Sequence, residues 1–395
     1  MVWCYLQRRC TGRAGQLKPA GCEWRISRQF MEIKPNEKIL QAFGLEPEGL
    51  NVRKFGSGHI NNTFLLEKKQ DSSKYVLQKI NVNVFKEPTI IAANQRMAAD
   101  YLAVHHPGYL FITPIPTVNG EELFVINNEY WRLIPFIADS ITVDQADNPK
   151  QAFEAARQFG RLANYLSGID LKPFKASIPN FHNLTLRYST FQDAIRNAKD
   201  DRKSAAEKMI EEFLQFSDIA VTYEQLKTNH EFRDRLMHHD TKINNVLLNK
   251  DTFEGICVCD LDTLMPGKMI SDLGDMIRTY VCPVSEEEND FSKIVIRAEY
   301  YEALMQGYLG EIGNSLTNVE KQQLFFAGKF MIYMQGIRFL SDYLNGDVYY
   351  PIKYPNHNFD RAKNQLVLLQ RLIEKEPELQ LIIDKCLLIS ATSEQ

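Results

Sequence analysis

Asp240, Asn245 and Asp260 carry oxygen in the order and spacing that transfer of a phosphoryl group from a nucleotide to a hydroxyl demands. They lie in His238-His239-Asp240-Thr241-Lys242-Ile243-Asn244-Asn245-Val246-Leu247-Leu248 and in Cys259-Asp260-Leu261-Asp262. Asp240 would orient an acceptor hydroxyl and take its proton, while Asn245 and Asp260 would hold magnesium on a triphosphate. Magnesium takes hard oxygen ligands and completes its shell with phosphate and water, so two protein side chains suffice. The spacing has a physical basis: Val246 to Leu248 reads as a strand, Asn249 to Thr252 as a turn, and Gly255 to Cys259 as the returning strand. Asn245 and Asp260 then come to adjacent strand ends. Each of these residues alone reads as an ordinary turn or capping group; the ordered set, interleaved with two apolar runs, reads as a metal-nucleotide site. Asp262 stands between a metal-side role and a turn aspartate.

Such a set needs two walls. From residue 50 to 137 the pattern is mostly strand: Val52 to Phe55, Asn62 to Glu67 and Tyr75 to Ile80, then a helix from Pro88 to Val104, then a hairpin of Glu121 to Ile126 and Glu129 to Pro135 around Asn127-Asn128. Five strands and one helix make a small nucleotide-binding lobe. Gly56, Ser57 and Gly58 would fold over the phosphates, because glycine lets backbone N–H groups approach anionic oxygens with no Cβ in the way; taken alone, Gly-x-Gly in a hairpin is a turn. Lys79, on the third strand, is placed to reach the phosphates or else is a solvated edge lysine. The helix after Pro88 offers it no glutamate, only Asn94, Gln95 and Asp100. Pro135 to Ile137 would join the lobes and run past the adenine.

Beyond residue 138 the chain reads as helical: Pro149 to Leu166, Lys203 to Lys227, Ser292 to Gly310, Thr317 to Asn345 and Phe359 to Glu374, with Thr317 and Glu320 spaced as a capping box. The expected fold is therefore α+β and two-lobed like the protein kinases, with a β-rich lobe over residues 31–137 and a larger, mainly helical lobe over 138–395. Residues 1–30 read as a disordered extension: basic, broken by glycines and proline, and without the continuous apolar stretch of a secretory signal.

Composition narrows the function. At 395 residues the chain exceeds what one core usually serves. A hydrophobic fraction of 44% without a long apolar run points to a soluble protein, and a net charge of −4 provides no field for nucleic acid or anionic lipid. The seven cysteines show neither metal-ligand nor disulfide-framework spacing, which fits a reducing cytoplasm. The expected partners are thus ATP and a small-molecule acceptor, with no nucleic acid and no membrane.

The two-lobed layout and these motifs resemble the aminoglycoside phosphotransferase and choline kinase superfamily. Longer strings resemble bacterial N-acetylhexosamine 1-kinases more closely: Gly56-Ser57-Gly58-His59-Ile60-Asn61, Tyr75-Val76-Leu77-Gln78, Asp260-Leu261-Asp262-Thr263, and Arg338 through Tyr350. The resemblance implies transfer of the ATP γ-phosphoryl group, with Mg2+, to the anomeric hydroxyl of N-acetylglucosamine or N-acetylgalactosamine. It implies Asp240 as the catalytic aspartate, and sugar contacts from His59, Arg338 and Tyr349. Plainer readings stand beside these: His59 as a hairpin cap, Tyr349 as core, and Arg338 as the ion-pair partner of Asp342 four residues on. Asp272 matches an aspartate that braces the catalytic loop, although a helix N-cap explains it nearly as well; His238 is read as support of the same loop. His182 and Arg187 also echo the sugar kinases. No tryptophan falls in the helical lobe to wall an N-acetyl group. Kinases of other sugars, aminoglycosides or choline keep every metal residue and change only the pocket; a non-catalytic nucleotide-binding module or a scaffold would leave the oxygen triad unexplained.

Overall fold

Five antiparallel strands, in the order β1-β2-β3-β5-β4, form the sheet of the smaller lobe in the computed structural model, which describes residues 35–56 and 60–392. The expectation for residues 1–30 and the positions Ser57, Gly58 and His59 lie outside the described residues. Helix α1 (Glu37–Ala42) precedes β1 (Leu50–Lys54), β2 (Asn62–Lys68) and β3 (Lys74–Ile80); α2 (Pro88–His105) then leads to β4 (Phe124–Ile126) and β5 (Glu129–Pro135). The hairpin strand read from Glu121 begins only at Phe124. The Thr117 hydroxyl accepts the Glu121 N–H at 3.0 Å and holds the residues between them in a turn.

One face of the sheet is apolar. Phe64, Leu66, Leu77, Trp131 and Leu133 pack with Ile39, Leu40 and Phe43 around α1. Because alternate residues of a strand point to opposite faces, Leu65, Gln78 and Arg132 stand on the other side, toward the larger lobe.

The larger lobe is built from α3 (Pro149–Tyr165), α4 (Leu184–Asn197), α5 (Asp200–Gln215), α6 (Asp218–Lys227), α7 (Met269–Tyr280), α8 (Ala298–Ile312), α9 (Asn318–Gln322), α10 (Leu324–Leu344), α11 (His357–Glu374) and α12 (Glu376–Thr392). Short strands thread among them: β6 (Ser140–Ile141), β7 (Arg235–Met237), β8 (Val246–Asn249), β9 (Gly255–Val258) and β10 (Met265–Gly267). Helix α10 is apolar nearly all round and is buried along most of its length, as a helix without a polar face must be. Two long helices read from the sequence are each divided: the Lys203 to Lys227 run breaks at Phe216-Ser217, and the Thr317 to Asn345 run breaks at Gln323. Helices α4, α7 and α12 are additional to those expected from the sequence. No helix among the described residues is long and apolar enough to cross a membrane.

The capping box at Thr317 forms, and its Glu320 has a second task. Both oxygens of Glu320 accept from Arg235 at 2.8 Å, a buried bidentate pair that anchors the start of β7. Strand β7 pairs with β10 and delivers the chain directly to His238.

Candidate active site

The loop after β7 and the hairpin β8-β9 converge as their spacing requires. Val246 pairs with Val258, and the Cys259 N–H donates to the Asn245 carbonyl at 2.8 Å, so Asn245 and Asp260 stand at neighbouring strand ends. The Asn245 side-chain amide donates to the Asp240 carbonyl at 2.8 Å. With its amide N–H so engaged, Asn245 keeps its Oδ1 as an acceptor. Asp260 adopts a left-handed backbone (φ 54) and its carboxylate is open to the cleft without a hydrogen-bond or ion-pair partner among the described residues. Surrounding protein, then the charges of Asp262 and Asp240, push its pKa up to about 7. A carboxylate so placed holds its negative charge most easily beside a cation.

Asp240 responds in the opposite direction. Burial works against its ionised form, but Lys242 at 3.1 Å, His238 and Asn245 outweigh it and hold the pKa below the usual carboxylate value. Asp240 is therefore charged at neutral pH and oriented rather than strongly basic.

The loop is held by backbone contacts. Asp272, near the start of α7, accepts the N–H groups of His238 at 3.0 Å and His239 at 2.7 Å, and the N-cap of that helix is Lys268. Burial pushes the Asp272 pKa up to about 7. Thr263 donates to the His238 carbonyl at 2.6 Å, Thr241 to the Asp272 carbonyl at 2.7 Å, and Tyr280 to the Thr241 carbonyl at 2.8 Å. His238 Nδ1 accepts the Asp240 N–H at 3.2 Å, and its Nε2 lies 3.0 Å from the Cys259 carbonyl, bridging the two halves of the site. His239 is buried with φ 66, and burial lowers its pKa to about 4, so its ring is neutral.

On the smaller lobe, Gly56 takes φ 81, a backbone region that favours glycine. Lys79 is not in the cleft. It shares the face of Leu77, lies over the Trp131 ring and forms an ion pair with Glu129 of β5, so its side chain points away from Asp260 and Asp262. Its acidic partner comes from the neighbouring strand rather than from α2. The cleft side of the same strands instead presents Gln78 and Arg132, which sequence reasoning passed over; the only available signal was a lone cation in the apolar run Tyr130 to Ile134. Pro135 ends β5 opposite Tyr75, and the Ile137 carbonyl accepts the Ser140 hydroxyl at 2.7 Å.

Asp262 is almost fully buried and faces the smaller lobe: it accepts from Arg132, from Asn61 at 2.8 Å and from Gln95 at 3.4 Å. Among the described residues no three His, Cys, Asp or Glu side chains gather as a metal cage. The donors on the cleft floor are Asn245 and Asp260, hard oxygens that fit a magnesium ion carried in on phosphate.

Next to the His239 ring lies a second set. The His182 ring is 5.4 Å from that of His239 and stacks on Phe181, and its pKa is pushed well down by burial, then by His239 and Arg338. Burial and the charge of Arg338 also lower the pKa of Arg187. Arg338 does not pair with Asp342; it donates to Gln335 at 3.0 Å and lies over the Tyr350 ring. Asp342 instead accepts the N–H groups of Val348, Tyr349 and Tyr350 and shapes the loop after α10. Tyr349 exposes 71% of its surface, so it is not core. Among the described residues, His182 Nδ1, Arg187 Nε and His239 Nδ1 are sequestered without hydrogen-bond partners, whereas the Tyr350 hydroxyl has Gln335 beside it.

Comparison with known proteins agrees with this geometry. Residues 51–314 match the phosphotransferase enzyme family. Similar solved structures include a spectinomycin phosphotransferase in complex with ADP and spectinomycin (14% identity, 86% of this chain and 97% of that one, TM-score 0.58). An aminoglycoside phosphotransferase from Alicyclobacillus acidocaldarius (9%, 91% and 100%, 0.61) and a choline kinase from Cryptosporidium parvum (13%, 87% and 95%, 0.52) are similar as well. At these identities the likeness is one of fold, a two-lobed kinase-like α+β architecture. The family match covers well over half of the sequence, and the chain belongs to the phosphotransferase enzyme family.

Proposed function

We propose that this protein is an ATP-dependent kinase of an uncharged sugar, transferring the γ-phosphoryl group to the anomeric hydroxyl of an N-acetylhexosamine. The observation that carries the acceptor class is the pair Arg187 and Arg338, which have no carboxylate partner among the described residues and lie beside His182 and Tyr350. Choline and aminopropanol, the acceptors named for two kinases of similar fold, carry a cationic nitrogen that such a wall would repel. A neutral polyhydroxylated ligand would instead offer hydroxyl oxygens to the partly exposed guanidinium groups of this wall without a like-charge cost. The strings shared with N-acetylhexosamine 1-kinases support the finer assignment, with Arg338, Tyr349 and His59 as sugar contacts.

Asp240 orients the acceptor hydroxyl and accepts its proton; an anomeric hydroxyl is more acidic than the others of a sugar, which suits a base of lowered pKa. Asn245 and Asp260 would hold magnesium, which neutralises charge on the phosphoryl oxygens. Lys242, paired with Asp240, brings a positive charge to the same place. Gly56 to Gly58 would offer backbone N–H groups to the phosphates, and the Pro135 to Ile137 segment would border the base. Positioning and electrostatics, without a phosphoenzyme, lower the barrier.

The test is incubation with Mg-ATP and a panel of N-acetylhexosamines, plain hexoses, choline and aminoglycosides, with new phosphate located by NMR. Phosphate at carbon one of an N-acetylated sugar is expected; preferential phosphorylation of a cationic acceptor would overturn the assignment.

A further inference from the structure

We infer that Asp262 is not a metal ligand but the receiving end of a clamp, made with Arg132 and Asn61, that sets the sheet of the smaller lobe, at the start of β2, against the loop that carries Asp260. The inference rests on the kinase reading of the site. Arg132 and Asp262 are each 2% exposed. Asp262 Oδ1 accepts from Arg132 and Gln95 and its Oδ2 from Asn61, so both oxygens are engaged by groups of the smaller lobe. The three donors come from three elements: β5, α2 and the connection between β1 and β2.

The other side of the arginine is equally committed. Arg132 Nε and Nη2 donate to the Gln78 Oε1 at 2.9 and 2.7 Å, and the Gln78 amide donates to the Thr63 hydroxyl at 3.2 Å. A planar guanidinium can bridge Gln78 and Asp262 at once; a lysine ammonium offers no such fork. Asn61 in turn accepts the Asn81 N–H at 3.0 Å, fixing the start of β2 to the end of β3. Since Asp262 follows Asp260 by two residues, the clamp ties the start of β2 to the position of Asp260. With Lys79 turned away to Glu129 inside the smaller lobe, the buried Arg132–Asp262 ion pair joins the two lobes. Asn94 of α2 reinforces it, donating to the Leu264 carbonyl at 2.9 Å.

The clamp predicts that residues joining the two lobes, rather than holding the metal, control nucleotide affinity. Binding of Mg-ADP to Asn61→Ala, Asp262→Asn, Arg132→Lys and the Asn61→Ala/Asp262→Asn double variant would be measured by calorimetry, with circular dichroism melts to verify folding. Each single variant is expected to weaken Mg-ADP binding on the order of tenfold, and the double variant no more than Asp262→Asn alone, because both changes remove one connection. Asn61 is partly exposed, so Asn61→Ala keeps the test open should a change at the buried pair prevent folding. Wild-type affinity in Asn61→Ala and Arg132→Lys, with Asp262→Asn merely raising the magnesium concentration needed, would overturn the clamp and make Asp262 a metal ligand. Failure of the wild-type protein to bind Mg-ADP at all would instead remove the kinase reading together with the clamp.

Discussion

The Asn245 side chain donates to the backbone carbonyl of Asp240 across 2.8 Å, tying the oxygen donor proposed for the metal side to the residue proposed to face the acceptor. One loop thereby fixes both ends of the reaction, with Asp240 poised by its neighbours rather than by its own basicity. Asp240→Asn keeps the shape and the backbone bond but cannot take a proton. Turnover should fall by about 10²–10⁴-fold, with Mg-ADP affinity measured by calorimetry unchanged; undiminished sugar phosphorylation would refute the assignment.

Proton release should accompany metal-nucleotide binding. The Asp260 carboxyl, with its pKa pushed up to about 7, is largely protonated below that pH, and a cation requires the carboxylate. Affinity for Mg-ADP should therefore weaken as pH falls below 7, approaching about tenfold per pH unit as the release approaches one proton. Calorimetry in buffers of different ionisation enthalpy reads the proton directly, and a flat profile between pH 5 and 7 would contradict the expectation.

Gly267 lies against the catalytic loop. A Cβ there would come within 2.3 Å of the buried His239 ring, whose Nε2 sits 3.2 Å from the Met265 carbonyl. Gly267→Ala must displace that ring, at a cost of about 1–3 kcal/mol of stability, and should lower kcat through the displaced loop. Denaturant unfolding and steady-state rates test the two effects separately.

Asp272 accepts the N–H groups of both His238 and His239. Asp272→Ala leaves two buried donors without acceptors, a loss of about 2–4 kcal/mol. The midpoint of urea unfolding should drop accordingly, and any folded fraction should turn over slowly because the loop is no longer held.

Arg338→Ala should raise KM for the acceptor at least several-fold with little change in KM for Mg-ATP, because Arg338 lies on the wall beside His182 and Tyr350 rather than at the metal-side loop. An equal rise in both constants would place the effect in loop structure instead.

The convergence of loop and hairpin on the cleft floor was legible in the chain itself. The order Asp240, Asn245, Asp260 is a local property: a short loop, a strand, a turn and a returning strand can bring those side chains together in few ways, and the capping box at Thr317 is likewise written within four residues. The two-lobed division followed from a change in hydrophobic period near residue 138. What the chain alone left open depends on which face of a strand meets which partner. Lys79 and Gln78 are adjacent in sequence and opposite in the sheet, and only the packing of Leu77 and Trp131 under α1 decides that Gln78 and Arg132 face the cleft. Asp262 reads equally as ligand or turn residue until Arg132 and Asn61, far away in the chain, are brought to its oxygens. Arg338 has an apparent helical partner in Asp342, which the loop of residues 348–350 claims instead through three backbone N–H groups. Local spacing specifies which atoms can react, whereas long-range packing decides which charges remain unpaired.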